Sequence, residues 1–97
     1  MAEIRWTQEA VQWLHNINEY ISIDNPEAGQ KIVQGLVDKV QVLHDFPQIG
    51  YSYRHEHDGE VRILLYGHYR IAYLIKPDVI DILGIFHGAL QIENYIQ

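Results

Sequence analysis

GEVRILLYGHYRIAYLIKPDVIDILGIFH, residues 59–87, is the stretch whose reading decides the fold. Gly67-His68 divides VRILLY from YRIAYLI, and Pro77-Asp78 divides YRIAYLI from VIDILGIF. Glycine tolerates left-handed dihedrals and proline presets its φ, so each pair reads as a turn between strands rich in branched and aromatic residues. Asp58-Gly59 supplies a further two-residue hairpin signal. The pattern predicts strands near 51–57, 60–66, 69–76 and 79–87, paired antiparallel in sequence order.

Register converts those strands into surfaces. Two-residue loops set Tyr66 opposite Tyr69 and Lys76 opposite Val79, and alternation then sorts the side chains by face. One face receives Arg62, Leu64, Tyr66, Tyr69, Ile71, Tyr73, Ile80, Ile82 and Phe86, and it is the more apolar seat for helices. The other receives Val61, Ile63, Leu65, Arg70, Ala72, Leu74, Lys76, Asp81, Leu83, Ile85 and His87. On this second face Arg70 and His87 come together, and its aliphatic area calls for cover from residues 88–97 or from a partner. A bulge reverses the assignment beyond it.

Upstream the period is helical. Ile4 and Trp6 alternate with polar neighbours as an edge strand would, and Thr7 followed by Glu9 is a cap with a first-turn acid. Ala10, Trp13, Leu14, Ile17, Tyr20 and Ile21 then form one helical stripe. Asn25-Pro26-Glu27 opens a second helix whose apolar residues are Ala28, Ile32, Val33, Leu36, Val37, Val40 and Leu43, with Pro47 and Gly50 as stop signals. Gly35 costs about 1 kcal/mol of helix propensity unless it permits close approach to the first helix. The short connection makes the two helices an antiparallel hairpin. The expected fold is therefore α+β, with an N-terminal helical hairpin packed on an antiparallel sheet of three to five strands, residues 1–97 forming one domain.

Composition narrows the function. The chain of 97 residues has 47% hydrophobic content and no cysteine, so one packed core must stand without disulfides or zinc-thiolate sites. A net charge of -6 disfavours direct nucleic-acid binding, which draws its affinity from many Lys and Arg contacts to phosphate. Only residues 50–76 are locally positive, through Arg54, Arg62, Arg70 and Lys76 against Glu56, Asp58 and Glu60. The start lacks a leader pattern and no apolar run reaches the roughly 20 residues of a membrane span, so a cytoplasmic protein without membrane contact is expected. No Walker, dinucleotide or nucleophile-elbow motif is present, and no cofactor is expected. His55 and His57 lack a third ligand, and no metal site is assigned to them.

The segments WTQEAVQWLHNINEYI (6–21), NPEAGQKIV (25–33), LHDFPQIG (43–50), GEVRILLYGHYRIAYLI (59–75) and VIDILGIFHGA (79–89) have an order and spacing that resemble the ParE/RelE superfamily of small bacterial toxins encoded beside an antitoxin. The long helical hairpin leans to the ParE branch. In that resemblance Trp6 and Thr7 open the first helix, Asn25 and Pro26 form the inter-helix turn, and Pro47 and Gly50 match a Pro-x-x-Gly. Arg62 matches the arginine of the central strand, Tyr69-Arg70 the Tyr-Arg of the next, and His87 the closing histidine. Two positions depart from it: Tyr51 and Leu90 stand where the family favours arginine.

The resemblance implies a toxin that binds a cognate antitoxin and inhibits DNA gyrase, with Arg62, Arg70 and His87 as partner-binding residues and no catalytic group; Arg54, from the locally positive segment, and Trp13, a large aromatic at a helix edge, join them as expected contacts. The alternatives are a metal-independent, ribosome-dependent endoribonuclease of the RelE kind using Arg62, Arg70 and His87, or a non-toxic relative that keeps antitoxin binding. Bland roles stand beside these: Arg70 neutralising Asp81 or Glu60, Arg62 stacking across from Tyr73, and Trp6, Trp13 and Tyr20 as packing residues.

Overall fold

Two capping side chains start the helices. In the computed structural model, which describes residues 2–88 and 92–96, the Ala10 amide donates to the Thr7 hydroxyl (3.1 Å), and that hydroxyl donates to the Ile82 carbonyl (2.7 Å). One residue thus caps helix α1 (Gln8–Ser22) and ties its start to the sheet. Asn25 accepts from the Ala28 amide (3.1 Å) and Pro26 opens helix α2 (Pro26–Gln41), which tightens into a 3-10 turn at Val42–His44.

The sheet contains β1 (Glu3–Trp6), β2 (Tyr51–Glu56), β3 (Gly59–Tyr66), β4 (Tyr69–Ile75) and β5 (Val79–His87) in the spatial order β1-β5-β4-β3-β2. The sequential antiparallel pairing holds for β2 to β5, and β1 joins the other end by pairing parallel with β5, Ile4 beside Ile80 and Trp6 beside Ile82. A last 3-10 turn spans Ile92–Asn94.

The helical hairpin seals one face of the sheet. Ala10, Leu36, Val40 and Leu43 meet Leu64, Ile71, Tyr73, Ile80, Ile82 and Ile85 in a core shut off from water. Full burial of one such aliphatic side chain contributes about 2 kcal/mol. On the other face Ile92 and Ile96 pack on Ile63, Ala72 and Phe86, so residues 92–96 supply part of the cover that this face required.

Four sequence expectations change. The hairpin turn before β3 is His57-Asp58, one residue earlier than expected, with Gly59 paired to Glu56 inside the ladder. A Cβ on Gly59 would collide with the Ile75 carbonyl, so glycine is there for close approach and not for the turn. Gly35 makes room for the Tyr66 hydroxyl of β3 and not for the first helix; the glycine beneath α1 is Gly29, against Ser22 and Asn18. Tyr20, expected on the packed stripe, is 79% exposed.

The fourth change is a bulge in β5. Tyr73 pairs with Ile82 while Ala72 pairs with Gly84, which leaves Leu83 as an extra residue. Beyond it the faces exchange. Ile85 enters the core beneath the helices, Phe86 joins the second core, and His87 lies beside Tyr69. Gly84 suits the distortion because a Cβ there would press on the Phe86 ring.

Candidate functional site

Arg62 is an internal brace. It stands across from Tyr73 as expected, but its guanidinium turns to the loop before β2, with Nε donating to the Gly50 carbonyl (2.8 Å), Nη2 to the Gln48 carbonyl (3.0 Å) and Nη1 to Glu60 (2.9 Å). The buried Tyr73 hydroxyl accepts from the Gly50 amide (3.0 Å) and donates to the Pro47 carbonyl (2.8 Å). Burial pushes the Tyr73 phenol above its ordinary pKa. Together the two side chains fix residues 47–50, the stretch that the Pro-x-x-Gly pattern had marked only as a helix stop.

The other sequence-selected residues are dispersed. Arg54 pairs with Glu56 (2.7 Å) on the face away from the helices. Arg70 lies across from Leu65 and Phe86 on that same face and reaches the Gly88 carbonyl (3.4 Å). His87 is exposed on the helix side, edge-on to Tyr69 (5.9 Å) and stacked on His68 (6.3 Å). The Leu83 bulge turns His87 to the face opposite Arg70, so the two do not share a face as expected, yet at the sheet end they border one pocket of 380 Å³ with His68 and Tyr69. Asp81 faces Arg5 (2.9 Å) and Lys76 (3.0 Å), and Glu60 faces Arg62 and Ser52.

The Arg5–Asp81–Lys76 cluster was not visible in the sequence. Asp81 is 7% exposed, and the hydrogen bond from Arg5, assisted by Lys76 and opposed by desolvation, holds its carboxyl below the usual carboxylate pKa. Glu60 is likewise lowered, first by the Ser52 hydroxyl and then by Arg62. Alternation at residues 2–6 signalled a strand, but only the parallel register Arg5 beside Asp81 brings the ions together.

Trp13 joins two sites. It meets Phe86 (4.8 Å) and Tyr95 (5.2 Å) edge-on, and with Asn16, Ile17, Tyr20, Tyr69 and His87 it lines an apolar groove of 520 Å³ between α1 and the β4–β5 end. Tyr20 is the wall residue that stripe periodicity had assigned to packing. Among the described residues no three histidine or acidic side chains converge as metal ligands; His55 on β2 lies 3.9 Å from Glu60 and His57 is in the turn.

This arrangement has counterparts in known proteins. The family described as the ParE toxin of the type II toxin-antitoxin system parDE matches residues 4–91. The chain belongs to the ParE toxin family. The protein named "Putative toxin Y4kP" from Sinorhizobium fredii (strain NBRC 101917 / NGR234) is 34% identical over 88 residues, covering 91% of this chain and 90% of that protein. A solved structure described as the chromosomal ParDE TA system from P. aeruginosa superposes with a TM-score of 0.74 at 29% identity, over 90% of this chain and 96% of that one.

Within this ParE-family chain the two departures from the arginine pattern have different places. Tyr51 is at the open end of β2 with 47% exposure, opposite Ile63, where an arginine would have carried a charge to the rim of the second face. Leu90 lies outside the described residues.

Proposed function

We propose that this ParE-family toxin acts by protein contact, binding a cognate antitoxin and, when released from it, inhibiting DNA gyrase by occlusion or trapping. The observation that carries the reading is the commitment of Arg62 to the 47–50 loop, which removes it from Arg70 and His87. Arg62 is spent on the 47–50 loop, while Arg70 and His87 project from opposite faces at the other end of β4, where they border one pocket without Arg62. Metal-free RNA cleavage needs its proton-transfer and charge-stabilising groups around one phosphate, within hydrogen-bond reach. A contact surface has no such requirement. The apolar groove of Trp13, Ile17, Tyr20 and Tyr69 is the seat assigned to the antitoxin, with His87 at its rim. Arg54, Arg70 and His87 are the recognition groups for carboxylates of antitoxin or target, and Arg62 contributes by shaping the loop.

Two reactions on purified protein test this. A supercoiling reaction with gyrase stalls while messenger RNA in a translation reaction stays intact. Cleaved messenger RNA with normal supercoiling transfers the function to the RelE-like nuclease, and inertness in both reactions, with antitoxin binding retained, makes the chain a non-toxic relative.

A further inference from the structure

Among the described residues, 92–96 cover only part of the second sheet face. Beside Ile96 runs a groove of 670 Å³ with Leu74, Leu83 and Tyr95 in its lining and with Glu9, Arg54, Glu56, His57 and Asp58 around it. That volume lies within the range of about 300–1,000 Å³ typical of ligand pockets. Its wall is aromatic. Trp13, Phe86 and Tyr95 touch one another, Phe86 and Tyr95 stacked at 5.4 Å, and Tyr95 remains 49% exposed.

The ions around the groove are unevenly matched. Arg54 on the rim is ion-paired with Glu56 (2.7 Å), and Lys76 sits on Asp81 (3.0 Å) with only a long reach to Asp58 (3.8 Å). Glu9 and Asp58 therefore leave the groove with an excess of negative charge. An aromatic face beside carboxylates attracts a delocalised cation, and apolar lining rewards hydrocarbon on either side of it. We infer that this groove is a docking site for a protein segment that presents an arginine between apolar residues, the guanidinium over the Tyr95 ring and toward Glu9 and Asp58. Its charge preference is opposite to that of Arg70 and His87, with the Arg54 charge on its rim offset by Glu56, and it does not depend on the antitoxin reading.

The probe is the peptide acetyl-Leu-Arg-Leu-Arg-Leu-amide, titrated into the isotope-labelled full chain and followed by NMR, with acetyl-Leu-Glu-Leu-Glu-Leu-amide as its charge-reversed counterpart. The arginine peptide shifts the Trp13 indole and the Leu83 and Tyr95 amides, and the glutamate peptide does not. Glu9→Gln and Asp58→Asn each weaken binding about threefold, as loss of one exposed ionic contact should. Leu83→Arg places a guanidinium in the groove and removes the response; should that variant fold poorly, Tyr95→Ala reports instead, with a loss of about fivefold. Equal response to both peptides, shifts confined to other surfaces, or undiminished binding to Tyr95→Ala overturns the assignment.

Discussion

At Tyr73 a single oxygen holds a loop. Its hydroxyl is both acceptor for the Gly50 amide and donor to the Pro47 carbonyl, in a setting closed to water. Tyr73→Phe keeps the ring but leaves a buried amide without its acceptor, a loss of about 1–3 kcal/mol that urea denaturation measures as a lower midpoint. Asp81 makes a second residue-scale prediction. Its pKa is depressed in the folded chain, so the unfolded chain binds more protons across the interval between the two pKa values. The stabilisation is complete above the ordinary carboxylate pKa, near about 4, and disappears as pH falls through the lower folded value. Melting temperature should therefore drop on acidification, and Asp81→Asn should be less stable at neutral pH with a shallower acid limb.

β5 shows how one element can redistribute a site. Its Leu83 bulge moves Ile85 and Phe86 to opposite cores and turns His87 to the face opposite Arg70. Alternation placed the β5 side chains correctly through Leu83 and failed from Ile85 on, because an inserted residue leaves no mark in a run where both faces are apolar. The helix glycines were ambiguous for a related reason: propensity registers the cost of Gly35 in α2 but cannot say that Tyr66 of β3 is the group requiring the space. The C-terminal segment is an element by virtue of contact, with Ile92 and Ile96 buried against the second core. Truncation before Ile92 should expose Ile63, Ala72 and Phe86 and remove about 2 kcal/mol for each lost isoleucine. A hydrophobic dye should bind the truncated chain, and its thermal midpoint should fall; unchanged dye binding would mean the segment does not cover that face.

For the molecule as a whole, the surfaces matter more than any pocket chemistry. The α1 groove and the second-face groove share only Trp13 among the side chains central to each, so a substitution can address one alone. Tyr20→Ala, at a residue 79% exposed, should leave stability within about 0.5 kcal/mol and weaken antitoxin binding at least about tenfold, measured by calorimetry. Unaltered affinity would move the antitoxin off α1. By itself the order of residues determined the helical hairpin, its caps, four consecutive strands and the turns at Gly67-His68 and Pro77-Asp78, because those features arise from local dihedral preference and periodic burial. Only tertiary structure decided that β1 lies parallel to β5, that Arg5 meets Asp81, that Arg62 braces residues 47–50 and that His87 turns from Arg70. Each of these depends on register between segments distant in the chain, and strand register is an outcome of the packed whole.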